Sequence, residues 1–180
     1  PHRTLTRIPT GLEGIDSLLG GGVMMRRIFQ VSGRYSCGKS TLAALVVAEA
    51  QRQGFEALWL DAEGRFAFDY FASMGVNLEK MDYESGKSAE AYFGDVHKWI
   101  EKKGGVIVLD SVAALLTENE ISKDDGPSVP EVPKMLPNFL NKVQNGLNAS
   151  KHECLLIFLN HEKVDFTGAL KVIGGRSIEH

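Results

Sequence analysis

The octet Gly33-Arg34-Tyr35-Ser36-Cys37-Gly38-Lys39-Ser40 matches the spacing G-x-x-x-x-G-K-[ST] at every fixed position. Such a loop suits a polyphosphate. Its glycines let the backbone wind so that successive N–H groups point inward, and the helix that follows sets its positive end behind them. In that chemistry Lys39 reaches the β- and γ-phosphates, the Ser40 hydroxyl ligates Mg²⁺, and the backbone from Gly33 to Thr41 forms the cradle. Cys37 reads as a small filler of that cradle. Three apolar runs end in polar residues: Val106 to Leu109 in Asp110, Ala57 to Leu60 in Asp61-Ala62-Glu63, and Cys154 to Leu159 in Asn160-His161. A hydrophobic run closed by Asp suits a carboxylate that holds Mg²⁺ through its water shell. If the three ends converge on the loop, Glu63 is placed to orient and deprotonate an attacking water, and Asn160 and His161 to sense the γ-phosphate. Any one strand-end carboxylate is equally well a helix cap or a solvated turn; three together with a phosphate loop favour a site.

Positioning these residues requires strands that end on one edge of a sheet. The runs Ile28 to Val31, Ala57 to Leu60, Val106 to Leu109 and Cys154 to Leu159 are short and apolar with little alternation, as in strands buried on both faces. Between them the spacing predicts helices over Ser40 to Gln53, Ser88 to Lys103 and Leu136 to Ala149, with Pro137 in the first turn of the last. Strand-helix alternation implies parallel strands joined by crossovers, hence a three-layer α/β fold with a mainly parallel central sheet. Ahead of the first strand, Thr10-Gly11-Leu12-Glu13 has the capping-box spacing for a short helix.

The chain has 180 residues, 43% hydrophobic and 24% charged, with a net charge of −3. This excludes disordered and collagen-like classes and a generally basic coat, while leaving nucleic-acid binding to local grooves. Cys37 and Cys154 lie far apart and stand in no zinc-site spacing with another Cys or His, so they read as free thiols in a reducing compartment. No apolar run approaches a membrane span and no signal pattern opens the chain, so the expected location is cytoplasmic.

The succession of phosphate loop, Asp-Ala-Glu strand, Asp-Ser strand and Asn-His strand resembles the RecA family of DNA recombinases. The segments that carry it are GRYSCGKSTL (33–42), LDAEGRFAFDYFASMGVN (60–77), VIVLDSVAALL (106–116) and LLIFLNH (155–161), with TGLEGIDSLLGGG (10–22) as lead-in. The Asn160-His161 pair and Ser73 to Asn77 are closest in phrasing to the T4-type phage recombinases, where bacterial RecA has Asn-Gln. The resemblance implies a RecA-like P-loop NTPase fold, with the Asn160 strand between those of Asp110 and the phosphate loop. It further implies ATP and Mg²⁺ as cofactors, Glu63 as the catalytic glutamate with Lys39, and Ser40 and Asp110 at the metal. Tyr70 falls at the adenine-stacking tyrosine, whereas Ala67 replaces an adenine-contacting aspartate. Asn160 and His161 match the γ-phosphate switch.

Thr117 to Lys134 matches the first DNA-binding loop, and Lys163 to Ser177 the second, with Lys163, Lys171, Gly174, Gly175 and Arg176 as its candidate contacts. The implied function is an ATP-dependent, DNA-stimulated recombinase for strand exchange and repair. It acts as a helical filament on single-stranded and then duplex DNA, in the cytoplasm of a bacterial or phage-infected cell. On this resemblance residues 1–180 are a single ATPase core and a fragment, without the N-terminal oligomerisation segment and the C-terminal strands. Two alternatives stay open at the sequence level: a RecA-fold ATPase of another role, such as a KaiC- or RadA-like regulator or a helicase motor, and a nucleotide-binding assembly module without turnover.

Overall fold

A computed structural model describes residues 5–123, 130–164 and 170–172, the last few of them, from 163 on, by backbone alone. Near the N-terminus β1 (Arg7–Ile8) and β2 (Val23–Met24) form a small antiparallel pair around helix α1 (Glu13–Leu18). The central sheet consists of β3 (Ile28–Gly33), β4 (Ala57–Asp61), β5 (Met81–Ser85), β6 (Gly105–Asp110) and β7 (Cys154–Val164). All neighbours among these are parallel, in the order β3-β7-β6-β4-β5, and β8 (Leu170–Val172) pairs antiparallel with the end of β7. The Asn160 strand therefore lies between the Asp110 strand and the phosphate-loop strand, as the resemblance implied.

Parallel strands need cover on both faces, and the pleat alternates which face a residue serves. Leu58, Leu60, Ile107, Leu109, Leu156 and Phe158 pack under α4 (Ala89–Lys102) and α6 (Val132–Ala149). Trp59, Val106, Val108, Leu155, Ile157 and Leu159 pack on the other face, under α2 (Lys39–Arg52) and α3 (Phe68–Ser73). Each fully buried aliphatic or aromatic side chain here contributes about 2 kcal/mol of transfer free energy. The result is a three-layer α/β fold with two cores, one on each side of the sheet.

Local chemistry sets the ends of these helices. Helix α2 stops at Gly54, whose φ of 90° is open to a residue without Cβ. Gly54 N–H donates to Gln51 O (3.1 Å) and Phe55 N–H to Ala50 O (3.0 Å), the Schellman pattern. Helix α4 begins at Ser88, whose hydroxyl accepts from Ala91 N–H (3.2 Å).

Several expectations from the sequence are corrected. The predicted capping box at Thr10 and Glu13 does not form: Thr10 N–H and hydroxyl and Gly11 N–H all donate to the Asp16 carboxylate (2.7, 2.8 and 3.1 Å), a longer-range lock. Helix α6 starts at Val132, a turn before Leu136, so Pro133 takes the first turn and Pro137 lies inside the helix. Val132 extends the buried stripe of Leu136, Phe139, Val143 and Leu147, and that burial outweighs the backbone hydrogen bond Pro137 cannot make. Strand β5 was not foreseen because it is an edge strand, Met-Asp-Tyr-Glu-Ser, with only Met81 buried. Asn160 and His161 are not at a strand end: β7 continues to Val164, although pairing with β6 stops at Phe158 and pairing with β3 stops at His161.

Candidate functional site

The carboxyl ends of β3, β6 and β4, with the middle of β7, surround a cavity of about 280 Å³. Gly33 closes β3 where a Cβ would stand 2.6 Å from Cys37 Sγ, so a side chain at residue 33 would force the Cys37 side chain to move out of the loop. Ser36 (φ 56°) and Gly38 (φ 91°) supply the left-handed turns that bring the chain round into α2. Cys37 is exposed with a free thiol, and Tyr35 and Thr41 also line the cavity.

Lys39, at the first position of α2, is buried, and its ammonium donates to Gly33 O (3.2 Å) and Arg34 O (2.8 Å). It also lies 3.3 Å from His161 Nδ1. An ammonium has donors only, so Nδ1 accepts, which assigns the ring proton to Nε2. That Nε2–H donates to Glu63 Oε1 at 2.6 Å, and the His161 ring stacks on Tyr35 at 4.0 Å between centroids. One imidazole thus joins the phosphate-loop lysine to the glutamate beyond β4.

Glu63 Oε1 accepts a second short bond from the Ser111 hydroxyl (2.6 Å), and Arg65 stands 4.0 Å from Oε2. Burial pushes the Glu63 pKa up, but the bonds from His161 and Ser111 and the nearby Arg65 charge outweigh it. The carboxyl is held below its ordinary range. At neutral pH Glu63 is an ionised acceptor.

Ser40 Oγ donates to Asp110 Oδ2 at 2.7 Å, which puts a hydroxyl and a carboxylate side by side on the cavity wall. Burial pushes the Asp110 pKa up to about 6; the Ser40 hydrogen bond and Lys39 oppose this, and the charges of Glu63 and Asp61 reinforce it. A buried carboxylate under that load favours a cation beside it. Among the described residues no cluster of three or more His, Cys, Asp or Glu side chains could hold a metal. A Mg²⁺ there would draw its other ligands from phosphate and water, as that ion commonly does.

Tyr70, in α3, is half exposed, and its hydroxyl stands 3.5 Å from Thr41 Oγ1, across the mouth of the loop. Asn160 is fully buried next to the cavity, its Oδ1 accepting from His161 N–H (2.8 Å). Lys39, Ser40, Glu63, Asp110 and His161 are therefore brought together, with Tyr70 at the rim. Ser111, Asp61 and Arg65 join them, although the sequence assigned none of the three a role. Ser111 directly follows Asp110, so the Asp-Ser pair itself carried the signal.

The stretch 117–134 is not all loop. Thr117 caps α5 (Glu118–Ser122) in a reciprocal box with Glu120, and Glu131 N–H donates to Glu120 Oε1 (3.1 Å), tying the two ends of the segment together. In the second stretch Lys163 and Lys171 face each other in the β7–β8 register, while Gly174, Gly175 and Arg176 lie outside the described residues.

With this geometry in place, residues 2–176 match the family model described as the RecA N-terminal domain. The chain belongs to the RecA family. It is 33% identical over 181 residues to Protein RecA of Bacillus subtilis (strain 168), covering 97% of this chain and 52% of that protein. It is 35% identical over 156 residues to Protein RecA of Chloroflexus aggregans, covering 85% and 44%, and 30% identical over 164 residues to that of Rickettsia massiliae, covering 89% and 47%. The chain spans about half the length of these curated RecA relatives. Among the described residues no helix is long and apolar enough to cross a membrane.

Proposed function

We propose that this chain is the nucleotide-binding core of an ATP-dependent DNA recombinase for homologous strand exchange and repair. ATP hydrolysis controls its grip first on single-stranded and then on duplex DNA. The supporting observation is the continuous contact Lys39–His161–Glu63, which links a phosphate loop to a carboxylate able to take a proton from water. The Asn160-His161 pair supports the T4-type phage variant of that role, in the cytoplasm of a bacterial or phage-infected cell.

In this reading Lys39 exchanges the carbonyls of Gly33 and Arg34 for the β- and γ-phosphates of ATP, a stronger pairing because the acceptor as well as the donor is then charged. Ser40 and Asp110 fit Mg²⁺, which when bound neutralises charge developing on the phosphates. Tyr70 offers an open ring face to the base. Glu63, ionised, accepts the proton of the attacking water. The bonds from Ser111 and His161 to its Oε1 weaken it as a base, and loss of Lys39 from Nδ1 frees His161 to turn toward the γ-phosphate and release that oxygen. Strand β7 continues from His161 into Lys163 and the β8 hairpin, so such a turn acts directly on the segment 163–177, the proposed second DNA-binding loop, with 117–134 as the first. The filament assembled from many copies would multiply weak contacts along the DNA.

The test is ATP turnover by the full chain, with and without single-stranded DNA, in wild type and Glu63→Gln. Removal of a general base lowers turnover by about 10²- to 10⁴-fold with ATP affinity kept. Wild-type turnover in Glu63→Gln overturns the assignment of Glu63, and turnover indifferent to DNA favours a RecA-fold ATPase of another role.

A further inference from the structure

Asp61 closes β4 and is 2% exposed, yet among the described residues no lysine or arginine bonds to it. Its Oδ1 accepts from the backbone N–H of Glu63 (3.1 Å) and Gly64 (2.8 Å). Its Oδ2 accepts from Phe66 N–H (2.9 Å) and from the Tyr83 hydroxyl on β5 (2.9 Å). Burying a carboxylate is costly unless its lone pairs are filled, and here four donors fill them. Three of the four are backbone groups of the one turn that carries Glu63. The same turn is pinned by Ala62 N–H to Asp110 O (2.7 Å), and the Asp61 carbonyl accepts from the buried Tyr92 hydroxyl (3.0 Å).

We infer that Asp61, braced by Tyr83, is a positioning residue for Glu63, winding residues 63–66 about its carboxylate so that the glutamate side chain reaches the cavity. This rests on the reading of Glu63 as the proton acceptor. A neutral apolar residue would fill the same space at less electrostatic cost, and Asp61 in fact burdens Asp110 with a second nearby charge. What an apolar residue cannot do is accept three backbone N–H groups at once. Asn fails as well. Its amide nitrogen would face Glu63 and Gly64 N–H or, turned over, Phe66 N–H, leaving at least one backbone donor opposed by another.

The experiment is a double-mutant cycle on the full chain, reading kcat and ATP affinity in wild type, Asp61→Asn, Glu63→Gln and the double variant. Because a displacement on the order of 1 Å in a catalytic group can cost about 10²-fold, Asp61→Asn is expected to lower kcat by about that factor while ATP affinity changes little. If Asp61 acts through Glu63, Asp61→Asn lowers kcat no further in the Glu63→Gln background. Equal losses in both backgrounds, or wild-type kcat in Asp61→Asn, overturn the inference and leave the function standing. Wild-type turnover in Glu63→Gln instead overturns the assignment of Glu63 as proton acceptor and this inference with it. Should Asp61→Asn fold poorly, Tyr83→Phe removes a single donor and keeps the cycle available. It is expected to lower kcat about fivefold, the worth of one hydrogen bond, and only where Glu63 is present. Equal effects of Tyr83→Phe with and without Glu63 overturn the inference.

Discussion

Lys39 is held by two loop carbonyls and an imidazole, none of which carries a full negative charge. A triphosphate offers it several charged acceptors, each charge-assisted bond worth about 1.5–3 kcal/mol. Lys39→Ala is therefore expected to weaken ATP binding by about 10²-fold or more, checked by calorimetric titration of the nucleotide. Wild-type affinity would remove the phosphate loop from the reading. At this scale the sequence exposed the groups whose spacing is local: the loop lies within eight consecutive residues, and Glu63 lies two beyond Asp61. It did not expose contacts made between strands. Ser111 meets Glu63, and Tyr83 meets Asp61, only because β4 sits between β6 and β5 in the sheet.

Helices α4 and α6 meet through Phe93 and Phe139, stacked at 3.8 Å, with His97 edge-on to Phe139. Burial lowers the His97 pKa, and Lys142 on α6 adds to this against the opposing Glu101 on its own helix. The unfolded chain then binds this proton more readily than the folded one. The stability that neutral His97 permits is present at high pH and is lost as pH falls through the unfolded value, about 6.5, toward the lower folded one. Wild type should lose more stability than His97→Gln between about pH 7.5 and 5.5, measured by urea unfolding at both values. Equal slopes would mean that His97 titrates alike in both states. Amphipathic periodicity revealed this helix pair because both stripes are long. It misplaced the start of α6 because Pro137 read as a first-turn residue, when the stripe through Val132 carries the helix a full turn further back. Edge strand β5 escaped because a strand covered on one side needs few apolar residues.

Across the whole molecule, the strand order brings the proposed nucleotide site and the proposed DNA-binding segment onto a single element. β7 lies between β3, which feeds the phosphate loop, and β6, which ends in Asp110, and it runs on through His161 to its pairing with β8. No local pattern marks that continuation, since Asn160-His161 reads as the end of an apolar run. The net charge of −3 and the acidic residues Glu120 and Glu131 argue that the proposed DNA affinity is not spread over the surface. It should depend instead on what the nucleotide site does to β7. His161→Ala leaves Lys39, Ser40 and Asp110 in place but cuts the link between cradle and strand. ATP binding should persist, while the ratio of single-stranded DNA affinities with and without a non-hydrolysable ATP analogue, taken at one fixed salt concentration, falls to about 1. Linkage makes this testable from the other side: DNA should likewise stop tightening ATP binding in the variant. A preserved ratio in His161→Ala would mean that coupling reaches the DNA segments by a route other than β7.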